Sequence, residues 1–120
     1  MKKIIALSAA VVVLTASFAS ASSLTTGGVS GESKTIYGGI STGDSSGTTA
    51  TLIGKLSKNV KLGVAYGTGG YALDTKHSSG NTRYGTAHDA TAIYKQEIGS
   101  TDLAAPGAAS YSAFSTWTAM

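Results

Sequence analysis

The chain contains no cysteine, no basic cluster and, after its first two dozen residues, few large aliphatic side chains. Without cysteine there are no disulfide staples, no thiol nucleophile and no covalent haem attachment. Beyond the N-terminal run and the tail, no window carries an apolar stripe at the 3.6-residue helical period, so helical architectures are not expected. The core must therefore come from strands rich in Gly, Ser, Thr and Ala. Such a core gives limited apolar burial against a backbone ordering cost of about 1–2 kcal/mol per residue.

The N-terminus has the pattern of an export leader. Lys2 and Lys3 precede the uncharged apolar run Ile4 to Phe18, and Ala19-Ser20-Ala21 has the small-x-small form of a signal-peptidase site. The run is shorter than the roughly 20 residues of a membrane-spanning helix. No cysteine follows the site, which excludes lipoprotein processing. Cleavage after residue 21 of 120 leaves 99 residues, enough for one small domain. That mature part keeps seven basic residues (34, 55, 58, 61, 76, 83 and 95) against six acids (32, 44, 74, 89, 97 and 102), so its net charge is +1 rather than +3. A footprint for nucleic acid or anionic membrane is absent. The localisation expected is exported: periplasmic, cell-surface or extracellular.

Residues 22–33 read as a flexible, exposed lead-in, followed by a β-rich domain over 34–103 and an Ala/aromatic segment over 104–120. The domain shows six short β-type runs: KTIYGGI, TTATLIGKLS, VKLGVAY, YALDTKH, TRYGT and TAIYKQE. Val60, Leu62, Val64 and Tyr66 alternate with smaller or charged residues, the period of a half-buried strand, whereas Ile53 spoils the alternation of its own run. Lys58-Asn59 fits a hairpin turn between the second and third runs. The expected fold is all-β, a small antiparallel sheet or sandwich of about six strands built from hairpins.

Candidate chemistry is sparse. GISTG (39–43) matches the nucleophile-elbow pattern with Ser41 at its centre, but a loop follows where that motif needs a helix. GTGGYA (67–72) lacks the third glycine of a dinucleotide fingerprint. The stretch Tyr71 to Lys95 holds both histidines and three of the six tyrosines, and Asp74, His77, His88 and Asp89 are its possible metal ligands. A turn at Gly80-Asn81 would set His77 against Tyr84 and Leu73 against His88, leaving the histidines roughly 13 Å apart on one face. The alternative turn sets Lys76 against Arg83, which like-charge repulsion disfavours. Asp74 points to the opposite face, and Asp89 fits a turn. His77, His88 and Asp89 thus remain weak metal candidates, and no cofactor is expected.

In the tail, Tyr111, Phe114 and Trp117 recur every third residue after Pro106-Gly107, in a segment that can form a short helix. They either complete the chain's own core or, with Tyr84 and Tyr94, form an interaction surface. GKLSKNVKLGVAYG resembles a hairpin of an outer-membrane β-barrel over these 14 residues. Five of the six runs are shorter than the 9–11 residues of spanning strands, and six strands are fewer than the eight of a monomeric barrel. The resemblance therefore implies at most an oligomeric barrel shared between chains. The function expected is that of a non-enzymatic structural or interaction protein of the cell envelope or an extracellular assembly. It would self-associate, or bind another envelope protein, through edge strands and the aromatic tail. The alternative is a small periplasmic ligand- or metal-binding module centred on residues 71–95. No nucleic-acid partner is expected, and membrane contact is expected only through the leader before its cleavage.

Overall fold

The computed structural model describes residues 24–40 and 43–120. The leader over 1–21 and Ser41 lie outside the described residues. These residues form an all-β fold, with two antiparallel sheets of two and five strands and almost no helix among them. Strands β1 (Thr35–Gly38) and β2 (Thr51–Lys55) form a hairpin. Strands β3 (Val60–Gly67), β4 (Gly70–His77), β5 (Thr82–Ala87), β6 (Tyr94–Glu97) and β7 (Thr118–Ala119) form a meander in that order. A four-residue 3-10 turn, Tyr111–Phe114, precedes β7.

Three expectations need correction. Asn59 does take a positive φ of 59°, but β2 and β3 do not pair. The outer edge of β3 is already taken: Gly27, Ser30 and Ser33 donate N–H bonds to the carbonyls of Val64, Leu62 and Val60. The turn at Asn59 therefore links two sheets. The same bonds correct the flexible lead-in, since they hold residues 27–33 along β3 with Ser30 only 2% exposed. Third, β4 and β5 take the register with Lys76 opposite Arg83. The Arg83 guanidinium lies 3.5 Å from the carboxyl of Asp74, one step along the same face, which gives this cation a polar partner. Arg83 also donates from Nε and a terminal nitrogen to Gln96 Oε1, at 3.1 and 2.6 Å. In this register Leu73 faces Thr86 and Thr75 faces Tyr84.

Strand alternation divides the meander into two faces. One face carries three cross-strand rows: Lys61, Lys76, Arg83 and Gln96; then Gly63, Asp74, Gly85 and Tyr94; then Ala65, Ala72 and Ala87. The last two rows are dominated by small residues, so the C-terminal segment can lie against them. Phe114 is fully buried there, with Ala72, Ala87 and Tyr94. A Cβ at Gly85 would collide with the Phe114 ring, and one at Gly63 would collide with the Asp74 carboxylate. The tail is thus the lid of this face. Its aromatics interlock: Phe114 lies 6.3 Å from Tyr94 in near-parallel planes, and Trp117 meets Phe114 edge-on at 4.8 Å.

The opposite face presents Leu62, Val64 and Leu73. There Val64 joins Leu24 and Ile36 in a second buried cluster, with Leu56, Leu62 and Leu73 packed around it. Ile36 comes from β1, so this contact ties the hairpin to the meander. An isolated two-stranded hairpin is at best marginally stable in water, which makes this cluster the hairpin's support.

The close approach at Gly85 yields a direct test. Gly85→Ala should destabilise the fold by about 1–3 kcal/mol through overpacking against Phe114. Gly54→Ala, where an added Cβ meets nothing within 4 Å, should lie within about 0.5 kcal/mol of wild type. Urea unfolding of the two variants reads the difference.

Candidate functional site

The polar residues of the 71–95 hairpin are dispersed by the fold. His77 stands opposite Val60 at the exposed end of β4, and its Nδ1 accepts the Ser79 N–H at 3.1 Å. His88 lies beyond β5, where its Nδ1 accepts the Tyr71 N–H at 3.2 Å and its ring tilts against Tyr71 at 5.9 Å. Asp89 accepts the Tyr111 N–H at 2.6 Å, so it anchors the 3-10 turn, and lies 3.7 Å from His88 Nδ1. Among the described residues no three of His, Asp or Glu converge in a way that could hold a metal ion. The match GTGGYA is the tight connection between β3 and β4, with Gly67 paired to Gly70. Residues 43–50, after the Ser41 match, form turns and bends rather than a helix.

Asp74 has a different character from its neighbours. It is 1% exposed, and neither carboxylate oxygen has a hydrogen-bond partner among the described residues. Burial pushes its pKa from 3.8 up to about 7, while the Arg83 guanidinium pulls it down. Arg83 is itself held by Gln96 and by the Trp117 ring, whose centroid lies 4.3 Å from the guanidinium carbon. Nearby, Lys61 binds both oxygens of exposed Asp102 at 2.9 Å, and that hydrogen bond lowers the Asp102 pKa. Asp74 thus sits at the centre of the tail-covered face, flanked by glycines on both adjacent strands.

The proposed interaction residues fall into two groups. Tyr94 and Phe114 are buried inside the chain, and Trp117 is half-buried between Phe114 and Arg83. Tyr84 and Tyr111 are 43% and 39% exposed, on opposite sides of the meander. Phe114 and Tyr94 are therefore occupied within this chain.

Two further features went unforeseen. Ile36 pairs with Gly54 and Tyr37 with Leu52, so Ile53 is an extra residue without a partner on β1. This bulge accounts for the broken alternation of the run and turns Ile53 aside. Leu52 and Ile53 are 63% and 69% exposed on a strand that, among the described residues, pairs only with β1. Secondly, a cavity of about 560 Å³ opens between the hairpin and the Leu62–Val64–Leu73 face of the meander. The chain matches no protein-family model, no curated protein and no solved structure.

The buried carboxyl makes stability depend on pH. The native state keeps the Asp74 proton up to about pH 7, whereas the unfolded chain releases it near 3.8. The stabilisation from this group is complete below 3.8 and is lost as pH rises through 7. Asp74→Asn should remove that contribution. Relative to wild type it should gain stability steadily between about pH 4 and 7, reaching a few kcal/mol. Thermal unfolding of both proteins across this range checks the difference.

Proposed function

We propose that the chain is a non-enzymatic, exported structural or interaction protein that associates with itself along the open edge of β2. The observation that carries this reading is the apolar pair Leu52 and Ile53, both strongly exposed on a strand paired on one side only among the described residues. Edge strands usually carry charge or are very short, because unpaired backbone groups and apolar side chains invite another strand. The five-stranded sheet follows that rule. Residues 27–33 line the β3 edge, and β7 at the other end is only two residues long. β2 does not follow it, although Lys55 ends the strand. The bulge at Ile53 shortens the ladder that a partner strand could form, so the side chains would supply much of the adhesion.

Export rests on the leader pattern of residues 1–21. Destination in the envelope or outside the cell follows from it. The aromatic tail contributes indirectly: it covers the chain's own sheet and leaves Tyr111 at the surface.

Analytical ultracentrifugation over a range of concentrations tests the reading. The wild-type chain should associate reversibly. Leu52→Lys, which places a charge on the open edge, should weaken that association by about tenfold or more. A wild-type chain that stays monomeric throughout, or a Leu52→Lys chain that associates equally well, overturns the proposal.

A further inference from the structure

The cavity beneath the hairpin is a separate feature from the β2 edge, although Ile53 borders both. Its volume of about 560 Å³ falls within the roughly 300–1,000 Å³ of small-molecule sites. Among the described residues, no Lys, Arg, His, Asp or Glu lines it. Its floor consists of Leu24, Ile36 and Val64, each only 7–8% exposed, with Leu73 beside them. Its mouth is far more open: Ile53 is 69% exposed, and Tyr66 and Tyr71, paired across β3 and β4, are 47% and 48% exposed. This gradient describes a concave site rather than a flat adhesive patch.

The lining also selects the occupant. Ordered water needs two to four polar partners, and the aliphatic floor offers none from its side chains. Among the described residues, the polar side chains of the lining are three tyrosines, Tyr37, Tyr66 and Tyr71. An anionic ligand would find no cation among the described lining residues, and an unpaired buried charge is strongly disfavoured. We infer that this cavity binds one uncharged, hydrocarbon-rich small molecule. Its alkyl or ring portion lies against Leu24, Ile36, Val64 and Leu73, and its neutral polar end lies at the Tyr66–Tyr71 rim. Fatty alcohols, esters and ketones fit this description; ionised fatty acids do not.

The test uses the protein as cells accumulate it, titrated with the neutral fluorescent probe N-phenyl-1-naphthylamine. The expected result is saturable binding of one probe per chain with a blue-shifted emission. Dodecanol should displace the probe, and dodecanoate above its pKa should not. Amide shifts on binding should cluster at Ile36, Val64 and Leu73 and spare Gly85 and Phe114. Ile53→Asp, a charge at the mouth on an exposed residue, should weaken probe binding by about tenfold or more. Leu52→Lys, outside the lining, should bind the probe as wild type does. No saturable binding, shifts located elsewhere, displacement by dodecanoate equal to that by dodecanol, or unchanged affinity in a folded Ile53→Asp overturns the inference. Should Ile53→Asp not fold, the wild-type shift map decides alone. Probe binding confined to Leu52→Lys would mean that a second copy fills the cavity. That outcome overturns the small-molecule site and leaves self-association standing, whereas failure of self-association alone leaves the site untouched.

Discussion

The seating of Phe114 over Gly85 is the constraint on which the rest of the structure depends. A ring can approach a sheet backbone this closely only where no side chain stands in the way. Around that contact the face is cleared by Gly63 and by the row Ala65, Ala72 and Ala87. The cleared face then accepts a cover of irregular chain in place of a second sheet. With the tail in place, Asp74 loses water, Tyr94 becomes buried and Arg83 is sandwiched between a carboxyl, an amide and an indole. The alanines and glycines that make the sequence look poor in core material are thus what lets a few aromatics form a core.

The two faces of the meander solve burial differently. The tail-covered face packs aromatics against backbone and keeps its charged row at one margin, where Lys61 reaches Asp102. The hairpin-covered face relies on branched aliphatics and is filled incompletely, leaving the cavity. Cavities within a core lower stability because their lining loses contact partners.

Much of the fold was legible in the sequence, and the failures have identifiable causes. The alternation of Val60, Leu62, Val64 and Tyr66 located β3, and the run from Tyr71 to His77 located β4 within one residue. Pairing was harder to read. The like-charge rule excluded the observed β4–β5 register because it considered Lys76 and Arg83 as an isolated pair. Asp74, Gln96 and Trp117 redirect Arg83, and two of these lie on parts of the chain that pairing rules do not consult. Ser30 and Leu24, in a stretch of small polar residues, gave no sign of burial because the edge they cover is specified elsewhere in the chain. The candidate site was visible in one respect only. Ile53 broke the alternation of its strand, and that break is the signature of the bulge. The cavity was not legible, since its walls come from both sheets and from residues before β1.

Chain order gives the tail-covered face a further consequence. Strands β3 to β6 follow one another with short connections, so their pairing is local in sequence and can form early. Phe114 and Trp117 come after all four. As the chain emerges during synthesis or transport, the meander's strands are available before anything can roof them. Asp74 then faces water and carries a full charge. Only when the last residues arrive can the carboxyl be enclosed and take up its proton. Closure of this face by the tail is thereby coupled to proton uptake as well as to packing.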